Sequence, residues 1–173
     1  MNKKIKVGIV GCGNCCSSLI QGLFYYKNKT EKNAETEADA GYWNGLMHWD
    51  VGGYLVSDIE VVAAFDVDKR KVGKDISEAI FQPPNCTKKF CDVPFMNVKV
   101  MKGPVIDGVA PHMKEYFQVD DNQKHVDIVD VLIESRAEVL INYLSVGSVD
   151  ATRYYADKAI LAGCGFVNRY KIK

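Results

Sequence analysis

One stretch near the amino terminus limits what this chain can fold into more than any other. Ile5-Lys6-Val7-Gly8-Ile9-Val10 is a short β-branched run that leads straight into Gly11-Cys12-Gly13-Asn14-Cys15-Cys16. Beyond the glycines the apolar spacing changes, and Leu19, Ile20, Leu23 and Phe24 share one helical face. A buried strand, a glycine turn and a helix in that order form the first unit of an α/β fold. Gly11 permits a tight turn. Gly13 leaves backbone bare for close approach of an anion, and the helix start supplies unpaired N–H groups. The third small position of this GxGxx(small) pattern is Cys16, and Ser17 and Ser18 add hydroxyls nearby. Asn14 and Cys15 complete the candidate phosphate loop. The alternative is a strand–helix turn that needs glycine only for packing.

The rest of the chain keeps the same alternation. Ile59–Phe65 reads as a second buried strand closed by Asp66, and 69–81 as one or two short helices stopped by Pro83-Pro84. A short strand at 98–101 ends at Gly103-Pro104. A helix at 126–135, a strand at 139–144, a helix at 150–161 and a strand from Phe166 follow. The predicted order β-α-β-α-β-α-β-α-β implies a doubly wound parallel sheet with helices on both faces. Residues 27–57 interrupt the first crossover. Their first part is polar and reads as a solvated loop, while 41–54, rich in aromatics and glycine, suits an ordered lid or contact surface. The reading is of one domain, 1–173, with an insertion at about 27–57.

A carboxylate at the end of the second strand is expected to hold the adenosine ribose of a dinucleotide. Asp66 fits, and its charge favours NAD over NADP, although Lys69 and Arg70 lie close. Capping of the next helix by Asp66 or Asp68 is the alternative, and Asp68 suits it better. Ligands of such sheets sit beyond the carboxyl ends of the strands. Leu144, Ser145, Gly147 and Ser148 are therefore candidates beside the nicotinamide ribose, and Ser135 and Tyr155 serve either as contacts or in packing.

Composition sets the remaining bounds. Lys plus Arg and Asp plus Glu both total 22, which argues against a nucleic-acid or membrane partner. No apolar run reaches the ~20 residues of a membrane span and no signal peptide is seen, so a cytoplasmic location is expected. Cys12 and Cys15 form a CxxC, open to a metal or redox reading, but no second CxxC accompanies it and the histidines are scattered. Reduced, structural cysteines are expected, and no metal site. Lys102 and His112 lie near predicted loops without surroundings that imply catalysis, and no catalytic residue is assigned.

Taken together, the local phrases resemble inositol-3-phosphate synthase of the bacterial and archaeal type, also called myo-inositol-1-phosphate synthase. They include Val10 to Leu19, Gly45-Leu46-Met47-His48, Ala63 to Asp68, Lys71-Val72-Gly73 with Asp75, Gly103-Pro104 with Asp107-Gly108, Asn142-Tyr143-Leu144 with Val146-Gly147-Ser148, and Phe166-Val167-Asn168. The resemblance covers nearly the whole chain. It implies an NAD-dependent isomerase of inositol and phospholipid biosynthesis that converts glucose 6-phosphate to 1D-myo-inositol 3-phosphate by internal oxidation, aldol cyclisation and reduction. By the same resemblance Asp75, Ser135 and Tyr155 match NAD contacts, and the Gly11 loop and Asp66 match the pyrophosphate and ribose sites. The family continues into a second domain that carries the catalytic lysines, the substrate-phosphate site and much of the oligomer contact. Here Arg169-Tyr170-Lys171-Ile172-Lys173 stands instead. A chain inactive alone is expected, binding glucose 6-phosphate only when the missing domain is supplied and self-associating through an exposed apolar patch as a homo-oligomer. A stand-alone NAD-binding or regulatory module that pairs with another chain is the alternative.

Overall fold

The computed structural model describes residues 4–27, 45–107, 109 and 115–169. Five strands form one all-parallel sheet: β1 (Ile5–Val10), β2 (Ile59–Asp66), β3 (Val100–Lys102), β4 (Val139–Asn142) and β5 (Gly165–Asn168). Their spatial order is β3-β2-β1-β4-β5, so β1 lies at the centre and the chain winds outward first to one edge, then to the other. Among the described residues four α-helices alternate with them: α1 (Asn14–Lys27), α2 (Ile76–Ala79), α3 (Ile128–Glu134) and α4 (Val149–Leu161).

Two cores follow from the alternation of side chains along each strand, which in β2 is shifted by one residue where the register slips between Val61 and Ala63. Val7 and Ile9 of β1 and Val61 of β2 face Cys16, Ile20 and Leu23 of α1 and Ile76 of α2. Val10 of β1 and Ala63 and Phe65 of β2 face Ile128 and Leu132 of α3 and Tyr155 and Ala159 of α4. The expected doubly wound α/β architecture is present, with helices on both faces.

Three boundaries differ from the expected ones for physical reasons. Only Ile76–Ala79 is α-helical within 69–81. Gly73 has φ +90, and its N–H and the Lys74 carbonyl pair with Val100, so this stretch is drawn against the sheet edge instead of coiling. The third strand is Val100–Lys102, not 98–101, because the Val98 N–H is taken by the Asp75 carboxylate. The fourth strand stops at Asn142, whose side-chain oxygen accepts the Leu144 N–H and turns the chain.

Of the expected insertion, α1 takes Lys27, residues 28–44 lie outside the described residues, and 45–55 holds turns, with Val51 bridging Tyr54. Met47 is 89% exposed and Val51 65%, so their apolar surface stays outside both cores.

Candidate functional site

The β1–α1 turn is built from main-chain contacts. Gly11 has φ +86, and a Cβ there would lie 3.0 Å from the Tyr143 carbonyl group, so β1 and the end of β4 meet at a distance only glycine allows. The Gly11 N–H donates to the Phe65 carbonyl at 2.8 Å. Gly13 differs. A Cβ built on it meets nothing within 4 Å, because the residue faces a cavity of about 380 Å³ at the carboxyl ends of β1, β2 and β4. Val10, Gly11, Gly13, Asn14, Cys15 and Asp66 line this cavity together with Tyr143, Leu144, Ser145 and Tyr155.

Asp66 caps the turn from β2. Its Oδ2 accepts the Cys12 N–H at 2.8 Å, and its Oδ1 accepts the N–H groups of Val67 and Asp68 at 2.7 and 2.9 Å. A carboxylate accepts about four hydrogen bonds, so Oδ2 keeps room for one more donor from the cavity. Asp68, fully buried, pairs with Arg70. Burial alone would raise its carboxyl, but the Arg70 side chain and the N–H groups of Arg70 and Gln118 outweigh this and hold it below the usual range.

The remaining candidates divide. Gly11, Gly13, Asn14, Cys15, Asp66, Leu144, Ser145 and Tyr155 come together around the cavity. The Asn14 side chain is engaged elsewhere: its Oδ1 accepts from the Cys86 N–H and from the N–H and hydroxyl of Thr87. Cys16 is fully buried in the α1 core beside Cys12, whose thiol is pushed well up by its hydrogen bond to Cys16 and by burial. Tyr155 is 2% exposed. Burial raises its phenol strongly, and its hydroxyl oxygen sits so close to Gly103 that no Cβ would fit there. Ser148 is buried at the start of α4, its hydroxyl 3.1 Å from that of Ser145, while Gly147 lies exposed with φ +98.

Asp75 and Ser135 do not line the cavity. Asp75 caps α2, accepting from the N–H and hydroxyl of Ser77 and from the Met96 and Val98 N–H groups. Ser135 closes α3 and donates to the Leu132 carbonyl at 3.2 Å. Of Lys102 and His112, the first is buried with its ammonium on the Asp120 and Gln123 carbonyls, and the second lies outside the described residues. Among the described residues no cluster of three His, Cys, Asp or Glu is placed to hold a metal, and no helix is long and apolar enough to cross a membrane.

Two residues at the site, and one at the start of α4, escape a reading of local pattern. Lys71, 1% exposed, lines the cavity and donates to the Cys12 carbonyl. Asn85 donates to the same carbonyl. Asp107 crosses to α4, where its two oxygens accept the Asp150 and Ala151 N–H groups at 2.8 Å each. Burial raises the Asp107 carboxyl, but the N–H groups of Ala151 and Asp150 more than compensate and leave it below the usual range.

A parallel sheet wound both ways from a central strand, with a glycine turn and a strand-end carboxylate around one cavity, defines a Rossmann-like α/β protein. Several relatives that it matches carry the name inositol-3-phosphate synthase. The chain is 46% identical over 164 residues to the enzyme of that name from Corynebacterium glutamicum and 47% identical over 165 residues to that from Mycolicibacterium smegmatis. Each alignment takes in 95% of this chain and 43% of the relative, so the chain spans less than half the length of the curated relatives it matches. Among solved structures, Ari2 superposes with a TM-score of 0.73 at 30% identity, over 98% of this chain and 46% of Ari2. A myo-inositol-1-phosphate synthase-related protein from Thermotoga maritima shares the fold, with a TM-score of 0.50 at 21% identity over 91% of this chain and 40% of that one. No family model matches the chain.

Proposed function

We propose that this chain is the NAD-binding portion of an inositol-3-phosphate synthase, the part that holds the cofactor for conversion of glucose 6-phosphate to 1D-myo-inositol 3-phosphate. One observation carries the reading: Gly13 opens on the cavity at the start of α1 while Asp66 presents a spare acceptor to the same space. The residues present suit NAD. The bare backbone at Gly13 and the α1 amino end receive the diphosphate, and Asp66 receives the adenosine ribose and repels a 2′-phosphate. Leu144 and Ser145 flank the nicotinamide ribose. Tyr155, buried, lines the cavity beside Gly103. Bound NAD supplies reversible hydride acceptance at the sugar.

The substrate and the acid–base groups belong to the portion of the relatives that this chain does not span. On this reading the chain binds NAD in the cytoplasm, does not turn over glucose 6-phosphate by itself, and gains activity as an oligomer with the remaining portion. Calorimetric titration of the folded chain with NAD and NADP tests the proposal. Saturable heat with NAD and weaker heat with NADP are expected, and silence with NAD, oxidised and reduced, refutes it.

A further inference from the structure

Cys12, between the two loop glycines, has every polar group committed. Its N–H goes to Asp66, its thiol is buried against Cys16, and its carbonyl oxygen accepts two side-chain donors, Lys71 Nζ at 3.0 Å and Asn85 Nδ2 at 2.9 Å. The two donors are tied together, for Lys71 Nζ also donates to Asn85 Oδ1 at 2.9 Å, and the second Asn85 donor bond goes to the Ile80 carbonyl. Lys71 is 1% exposed, and its nearest carboxylate oxygen, Asp66 Oδ2, stands 3.9 Å away. Burying an ammonium chiefly on neutral acceptors is costly, and an apolar side chain of the same length would fill the space without that cost. The position of the charge therefore calls for a reason beyond packing.

The planar trans peptide provides one. Its C=O and N–H point in opposite directions. With the Cys12 carbonyl held by Lys71 and Asn85, the Gly13 N–H of the same peptide points the opposite way, and Gly13 lines the cavity. We infer that Lys71 and Asn85 are positioning residues that clamp the Cys12–Gly13 peptide in the orientation a ligand diphosphate requires. This deepens the proposed NAD site and rests on it for the identity of the ligand.

The test uses the full chain and the variants Lys71→Met and Asn85→Ser, with NAD, ADP and adenosine as probes and the ¹⁵N–¹H signal of the Gly13 amide read in the free protein. The clamp predicts that both variants weaken NAD and ADP by about tenfold, the scale of one hydrogen bond to a charged group. Adenosine, which lacks phosphate, should hold within about twofold, and the Gly13 signal should shift in both variants. Unchanged NAD and ADP binding overturns the clamp, as does adenosine weakened as much as ADP. Should Lys71→Met fail to fold, Asn85→Ser carries the same comparison. Should the unaltered chain bind no NAD, the functional reading falls, and an unmoved Gly13 signal in the variants then overturns the clamp separately.

Discussion

Helices α1 and α4 both start where a strand of the sheet centre ends, β1 and β4 respectively, but their amino ends are treated in opposite ways. The α4 end is closed by carboxylates. Asp107 reaches across from another loop to take two of its N–H groups, and Asp150 lies in its first turn. The α1 end carries no acidic residue in its first turn and opens beside Gly13 on the cavity. Both ends hold the same partial positive charge. At α4 the protein satisfies it internally; at α1 it leaves the charge facing a space of ligand size. That contrast, more than the glycine pattern alone, singles out the β1–α1 turn as the place for an anion.

The contrast can be broken from either side. Gly13→Val puts a branched side chain at a point where a Cβ meets nothing within 4 Å. NAD affinity should fall by about a hundredfold, on the order of 3 kcal/mol, with the thermal midpoint unchanged, as titration beside calorimetric melting would show. Gly11→Ala should do the reverse. A Cβ there meets main-chain atoms of Tyr143 and Leu144 at a φ that disfavours side chains, so urea unfolding should report a loss of about 2 to 3 kcal/mol.

Two further changes interchange the helix ends. Cys15→Asp gives α1 the acidic first turn that α4 has. The helix gains a few tenths of a kcal/mol, yet NAD binding should weaken about tenfold through repulsion of the diphosphate, and more mildly at high salt. Asp107→Ala uncaps α4 and should cost about 1 kcal/mol. Because the folded Asp107 carboxyl lies below its unfolded value, its contribution is present above about pH 4 and is lost as pH falls through the depressed folded value. The difference in stability between parent and variant should therefore shrink in acid, and a constant difference down to pH 2 would show that the cap is not electrostatic.

Much of this arrangement is legible in sequence because it is local. The run Ile5–Val10 and the helical spacing after Gly13 are set by neighbours a few residues apart, and the strand ending at Asp66 declares itself by its apolar run. Asp75 and Lys71 show where such reading stops. An acid before Ile76 is equally suited to a ligand or a helix cap, and only the fold brings the Met96 and Val98 N–H groups to its carboxylate. A lysine in a charged stretch reads as a surface residue, and nothing near it in sequence shows that Asn85 and Cys12 surround its ammonium. The segment 85–91 has no periodicity of its own. Its path is fixed by two α1 side chains, Asn14 and Gln21, that bind its backbone from about 70 positions away.

The central place of β1 bears on how the molecule assembles. Its partners are remote along the chain, Ile5 meeting Ile59 and Val7 meeting Val139, whereas β4 and β5 join through α4 alone, with Val139 meeting Gly165. Loop-closure entropy favours the shorter circuit, so the β4-α4-β5 unit should gather first and the amino-terminal strand should be inserted last. Pulse-labelled amide exchange during refolding should then protect Leu140 and Gly165 before Gly8, and the opposite order would place the nucleus around β1.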